Sequence, residues 1–155
     1  MPFANTNDYL TGRKPIPSGS EIDLLSTRFE LDVVAGDLTL NNIGILGALP
    51  AGHIPVALLV DADKLDTNGA PTLVLEVGLI DPGTGDISAL AADGGGPWGS
   101  TTIGQAGGQA QLYSKALARV SENTDGDRQL AVKVTTAAAT AAAGVLGVNL
   151  IYRAA

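Results

Sequence analysis

The sequence predicts an all-β domain, a β-sandwich of jelly-roll type with about seven to nine strands and an extended N-terminal arm. Three observations lead there. Short apolar runs of strand length are separated by Gly, Pro, Asn and Asp clusters roughly every 8 to 14 residues. Glycine and proline are abundant, 20 and 8 of 155 residues, whereas the aromatics are one Trp, three Tyr and two Phe. Where the apolar runs are clear they alternate with period two, the mark of half-buried strands. No internal linker divides the chain, so one sandwich is expected over residues 21–155, preceded by an arm over residues 1–20.

The arm is expected because apolar residues are sparse before residue 20. Pro15 and Pro17 favour extended backbone that cannot donate to a sheet. Phe3, Tyr9 and Leu10 would serve as its contact anchors, and Arg13 and Lys14 would find carboxylates on a partner. The pattern changes from Ile22. Phe29, Leu31 and Val33 alternate with Glu30 and Asp32, a half-buried strand. Ala35-Gly36-Asp37 turns the chain, and Leu38, Leu40, Ile43 and Ile45 follow around Asn41-Asn42. Leu49-Pro50-Ala51-Gly52 is a second turn. The continuous run Val56 to Val60 suits a strand buried on both faces. After the polar turn 61–69, Leu73, Leu75, Val77 and Leu79 form the clearest alternation in the chain. Asp81 to Asp86 is turn chemistry, and Ile87 to Leu90 fits one more short strand.

Residues 91–109 form a long glycine-rich stretch of the kind that is functional or mobile. Residues 110–120 fit either a helical face or a bent strand, and strand is preferred in the β-rich context. Asn123 to Asp127 is a turn. Leu130, Val132 and Val134 alternate. The alanine-rich run 135–144 favours helix by composition but is too short to be stable alone, so a connection or one helical turn is expected. Val145 to Tyr152 is the closing strand.

Composition removes several classes of function. With 45% hydrophobic and 16% charged residues, the chain is not a solvated, unfolded one. No uninterrupted apolar run approaches the length of a membrane-spanning helix, and no membrane partner is expected. Without cysteine there is no disulfide, thiolate metal site or cysteine nucleophile. Sixteen Asp plus Glu against nine Lys plus Arg give a net charge of −7, which argues against displacing counterions from nucleic acid. The first residues lack a basic stretch followed by an apolar one, so a secretory signal is not expected and synthesis in a cytoplasm is.

Candidate chemistry is thin. Asp61, Asp63 and Asp66 fall within six residues, but an EF-hand loop counted from Asp61 would need a bidentate carboxylate where Thr72 stands. A turn whose Asp side chains accept backbone N–H groups is the better reading, with a weak Ca²⁺ site as the alternative. The glycines at 94–108 match neither GxxxxGK[ST] nor GxGxxG. His53 is read as a partly exposed turn histidine at a strand entrance, since triad chemistry needs a serine and an aspartate in contact with it. Asp81, Asp86 and Asp93 supply carboxylates but lack the aromatic platforms of a sugar site. Trp98, set in GGGPWGS, is either a plug over the core or an exposed contact anchor. No enzyme activity, cofactor or metal is expected.

Three stretches carry a resemblance: TIGQAGGQ over 102–109, DRQLAVKVTTAAATAAAGVLGVNLIYRA over 127–154, and LPAGHIPVALLVDADKLDTNGAPTLVLEVGL over 49–79. Together they resemble small head proteins of tailed bacteriophages, the capsid decoration or cement proteins. The resemblance spans roughly residues 30–154 and its motifs are structural. It implies a jelly-roll accessory protein on the outside of the virion, bound to the major capsid protein as a homotrimer or homodimer and reinforcing the shell against DNA pressure. Such a protein needs no active site; the candidate interface residues are Phe3, Tyr9, Leu10, Arg13, Lys14 and Trp98. Other virion roles (head–tail joining, tail, fibre) and a carbohydrate-binding module on Trp98 and Tyr113 are the rival readings.

Overall fold

Alternation of large apolar with charged side chains produces β1 (Leu24–Val33), in which Phe29, Leu31 and Val33 turn inward and Arg28, Glu30 and Asp32 outward. The same rule yields β2 (Ile43–Leu49), β3 (His53–Ala62), β4 (Val74–Leu79), β5 (Gly99–Thr101), β6 (Gly108–Leu112), β7 (Arg128–Thr136) and β8 (Gly144–Ala154). This is a computed structural model that describes residues 1–16 and 23–155. The expected boundary between arm and sandwich, with Pro17 and Ile22, lies outside the described residues.

Among the described residues, eight strands form two four-stranded antiparallel sheets, ordered β1-β8-β3-β6 and β2-β7-β4-β5. Successive strands change sheets at every connection except β4 to β5. The inner faces meet in one core, with Phe29, Leu58, Val60, Leu75, Val132 and Leu150 among its side chains. Two short helices, α1 (Ile103–Ala106) and α2 (Lys115–Ala118), complete the fold. The Ser114 hydroxyl caps α2 by accepting from the Leu117 N–H at 2.9 Å.

Several expectations change. Residues 110–120 are both strand and helix, split at Tyr113 between β6 and α2. The run Val56 to Val60 is not buried on both faces: Leu58 and Val60 are buried, but Val56 is 46% exposed, because among the described residues no layer covers the outer face of this sheet. Ile87 to Leu90 is no strand; only Ile87 pairs, in a single bridge to Ile80. Leu38 and Leu40 precede β2 in a turn where Asn41 adopts a φ of 67°. The alanine-rich run, by contrast, is a connection as expected: residues 137–143 are irregular and held to Asp66 and Leu65 by hydrogen bonds from Ala139, Thr140 and Ala142.

Residues 80–98, between β4 and β5, fold back over the outer face of their own sheet. Lys133 on β7 donates to both carboxylate oxygens of Asp86 at 2.8 and 2.9 Å. Ile87 and Pro97 lie on Gly78, where a Cβ would come within 2.9 Å of the Ile87 side chain. Position 78 is therefore glycine because the loop needs the space.

The described part of the N-terminal segment does not project as an arm. Residues 1–16 lie along the open side of the sandwich, where β1 and β2 are the edge strands of their sheets. The Phe3 N–H donates to the Ile43 carbonyl and the Ile43 N–H to the Met1 carbonyl. The Ala4 N–H donates to the buried Asp37 carboxylate at 2.9 Å. Asn5 donates to the Asp32 carbonyl, and the Asn7 amide donates to the carbonyls of Glu30 on β1 and Leu46 on β2. The segment is retained because these edge groups and the Phe3 ring are better satisfied against the sandwich than in water.

Candidate functional site

Among the described residues, no group of three or more His, Cys, Asp or Glu side chains is placed to hold a metal ion. The three aspartates at 61, 63 and 66, the first at the end of β3 and the others in the turn after it, point to different tasks. Asp61 pairs with Arg28, Nη2 to Oδ2 at 2.6 Å. Asp63 accepts from the Val145 N–H at 2.8 Å. Asp66 is fully buried and accepts from five backbone N–H groups, those of Asn68, Thr72, Leu73, Ala139 and Thr140. Burial alone would raise its pKa, but the N–H groups of Thr140, Ala139, Thr72 and Asn68 outweigh it and hold the carboxyl well below the usual carboxylate range. With its lone pairs engaged, Asp66 is a clamp between two loops rather than a cation ligand.

The remaining candidate chemistry is also structural. Trp98 is fully buried in the core, and its Nε1–H donates to the Asp93 carbonyl at 3.0 Å. It is the plug and not an exposed anchor, because the glycine-rich chain on either side lets the indole turn inward beneath the 80–98 loop. The Asp93 carboxylate accepts from Ser88 Oγ at 2.6 Å and pairs with Arg128 at 3.1 Å. Arg128 further donates to the carbonyls of Ala92, His53 and Ser121. Asp81 turns its carboxylate to the Gly83 N–H and Asp86 is taken by Lys133, so these carboxylates do not converge with Asp93. His53 is buried rather than partly exposed, with its ring edge-on to Tyr152 at 5.6 Å and Nδ1 at 2.9 Å from the Ala51 carbonyl. Trp98 and Tyr113 form no sugar platform, since the first is buried and the second is 77% exposed.

The arm residues divide in the same way. Phe3 belongs to the core. Tyr9 packs edge-on against Phe29 at 4.9 Å and carries Lys14 over its ring. Leu10 is half-buried, whereas Arg13 and Lys14 are exposed, Arg13 lying 3.9 Å from Asp8.

What remains open is the outer face of the β1-β8-β3-β6 sheet. Strand register sets its chemistry in rows. Leu24, Arg153 and Ile54 form one row and Ser26, Ile151 and Ala57 the next. Glu30, Gly147, Asp61 and Gln109 form a row at the other end. One end therefore sets Leu24, Ile54 and Ile151 around Arg153 and Ser26, and the other carries the carboxylates of Glu30 and Asp61. Leu24 is 64% exposed, and Val56 lines a shallow depression with Tyr113, Lys115 and Leu117. Inspection of the sequence missed this surface. Its signal was the outward parity of Ile54, Leu59 and Ile151, which has meaning only once the strands are paired.

Solved structures include chains of this shape. A chain in the "Capsid of Ralstonia phage GP4" aligns with a TM-score of 0.80 at 29% identity over 96% of each chain. A chain in the "Cyanophage Pam1 capsid asymmetric unit" aligns with a TM-score of 0.64 at 23% identity, over 98% of this chain and 99% of that one, a likeness of fold. No family model matches the chain, and no curated protein does. Both likenesses are to chains within phage capsid structures.

Proposed function

We propose that this chain is a phage virion structural protein of the decoration (cement) type, bound to the outside of the head and stabilising the shell against internal DNA pressure. The observation that carries the reading is the whole-chain likeness to a capsid chain, with 96% of each partner aligned. The strand order supports assigning the sandwich to the jelly-roll type, with eight strands whose connections pass repeatedly between two sheets.

Function on this reading is a matter of surface. Among the described residues, one sheet is covered on its outside by the 80–98 loop and the other is not. We assign the uncovered face, centred on Val56, Ile54 and Ile151, to contact with the major capsid protein. Leu10, Arg13 and Lys14 remain exposed or half-exposed for a second contact, and a homotrimer or homodimer on the shell would multiply weak contacts by avidity. Phe3 and Trp98 serve the core instead.

The test is the copy number per purified virion, by quantitative mass spectrometry against the major capsid protein. A ratio near one, or a fixed simple fraction of it, is expected. A few copies to a few dozen would move the chain to head–tail joining, the tail or a fibre. Absence from the particle would sink the structural reading.

A further inference from the structure

A groove of about 670 Å³ lies at the end of the second sheet, between the 80–93 loop and the 122–129 segment. Its floor and one wall are apolar: Ile80, Pro82, Leu90 and Ala92. Leu90 is 52% exposed on a wall that is firmly held. The loop that presents it is pinned by the buried Asp93–Arg128 pair, by the Trp98 indole on the Asp93 carbonyl, and by the Ser121 N–H on the Ala92 carbonyl. The opposite rim carries Glu122, Asp125 and Asp127, all exposed. The groove's one basic lining residue, Arg128, is already engaged with Asp93 and three carbonyls. An apolar trough with a carboxylate rim is complementary to one kind of occupant.

We infer that this groove binds an extended, basic peptide segment, seating one apolar side chain against Leu90 and placing Lys or Arg side chains on the Glu122, Asp125 and Asp127 rim. The complementarity is electrostatic at the rim and hydrophobic at the floor, and the pinned walls mean that little ordering is needed on binding. The source of the segment, a terminal or loop stretch of the shell protein, rests on the decoration reading; the groove chemistry does not.

The experiment has two arms. In the first, the full chain is titrated against a fluorescein-labelled Lys-Arg-Leu-Lys-Arg peptide, and against the same peptide with Gln at its four basic positions, at about 50 and about 300 mM NaCl. The E122Q/D125N variant leaves Asp127 in place because its carboxylate accepts the Ala51 N–H. It should weaken binding about 3- to 10-fold at low salt, with the difference closing at high salt. Leu90→Ser, at an exposed position, should weaken binding by about tenfold at both. Binding of the basic peptide no tighter than of its Gln counterpart, or unchanged in both variants, overturns the groove. In the second arm, particles lacking the chain are offered wild type and the variants. Wild type should bind and the variants should bind less. Wild-type binding that the variants retain overturns the shell segment as the occupant. Failure of wild type to bind particles overturns the decoration reading, while the peptide arm still decides the groove. Competition by a free peptide of residues 10–16, Leu10 to Ile16, equal to that of the basic peptide would assign the occupant to a second copy instead.

Discussion

Replacing Trp98 by alanine separates a core role from a contact role. The side chain is fully buried, and a tryptophan buries on the order of 200 Å². At about 25 cal/mol per Å² that is about 5 kcal/mol, of which alanine recovers a minor part. Loss of the Nε1–H bond to the Asp93 carbonyl adds about 1 kcal/mol. The sum is about 3–5 kcal/mol, the range found for large aromatic truncations in well-packed cores. For a domain of this size each kcal/mol lowers the melting temperature by about 2–4 °C, so Trp98→Ala should melt about 6–20 °C below wild type. Trp98→Phe keeps most of the packing and loses the hydrogen bond, about 1–2 kcal/mol, and should fall between them. Thermal unfolding followed by circular dichroism measures both, and particle binding below the melting temperature provides the second axis. The wild-type fluorescence is a further check, because this is the chain's single tryptophan and should emit from an apolar environment until unfolding. A variant that melts within about 2 °C of wild type yet loses particle binding would refute the core assignment.

Asp66→Asn should melt lower at neutral pH, and its acid limb should be shallower. The wild-type carboxyl is held below its ordinary value of 3.8, so its contribution is present above that value and is lost as pH falls toward the folded-state pKa; melting temperature against pH from about 7 to about 2 reads the difference. Val56→Glu, at a 46% exposed site, should leave melting within about 2 °C and reduce particle binding by about tenfold; normal binding would move the shell contact off this face. Deleting residues 2–7 removes Phe3 from the core and uncovers the β1 and β2 edges, so the truncated chain should lose about 2–4 kcal/mol and show larger species by light scattering. Gly94→Ala meets both a φ of 103° and the Ala116 carbonyl; a loss of about 2–4 kcal/mol is expected in denaturant titration, and a neutral result would exclude the left-handed backbone at this position.

The fold was legible where one physical rule decided the residue pattern. Phe29-Glu30-Leu31-Asp32-Val33 and Leu73 to Leu79 read correctly as half-buried strands because one face meets the core and the other meets water or a loop. The run Val56 to Val60 misled because aliphatic side chains on the open outer face mimic a doubly buried strand. Trp98 offered two readings from sequence, and only the Asp93 carbonyl and the core beneath the loop decide between them. The N-terminal segment looked like a free arm because its contacts use asparagine side chains and backbone edges, which leave no hydrophobic period. The open face and the groove were not legible at all. Each brings together side chains from distant strands or loops, such as Leu24 with Ile54 or Leu90 with Glu122, and no local pattern encodes that neighbourhood.

The position of β8 has a temporal consequence. It lies between β1 and β3, so the first strand of the sheet is held to the rest through the last. Leu24 pairs with Arg153 and Val33 with Gly144. During synthesis at about 5–20 residues per second, β1 is therefore made well before its ladder partner exists. The sheet cannot close until residue 154 has cleared the ribosome, and a topology so dominated by distant pairings closes slowly. Any surface that depends on the aligned rows of β1, β8 and β3 comes into being only at that moment. A nascent chain accordingly carries no finished outer face on this sheet before β8 has paired with both of its neighbours.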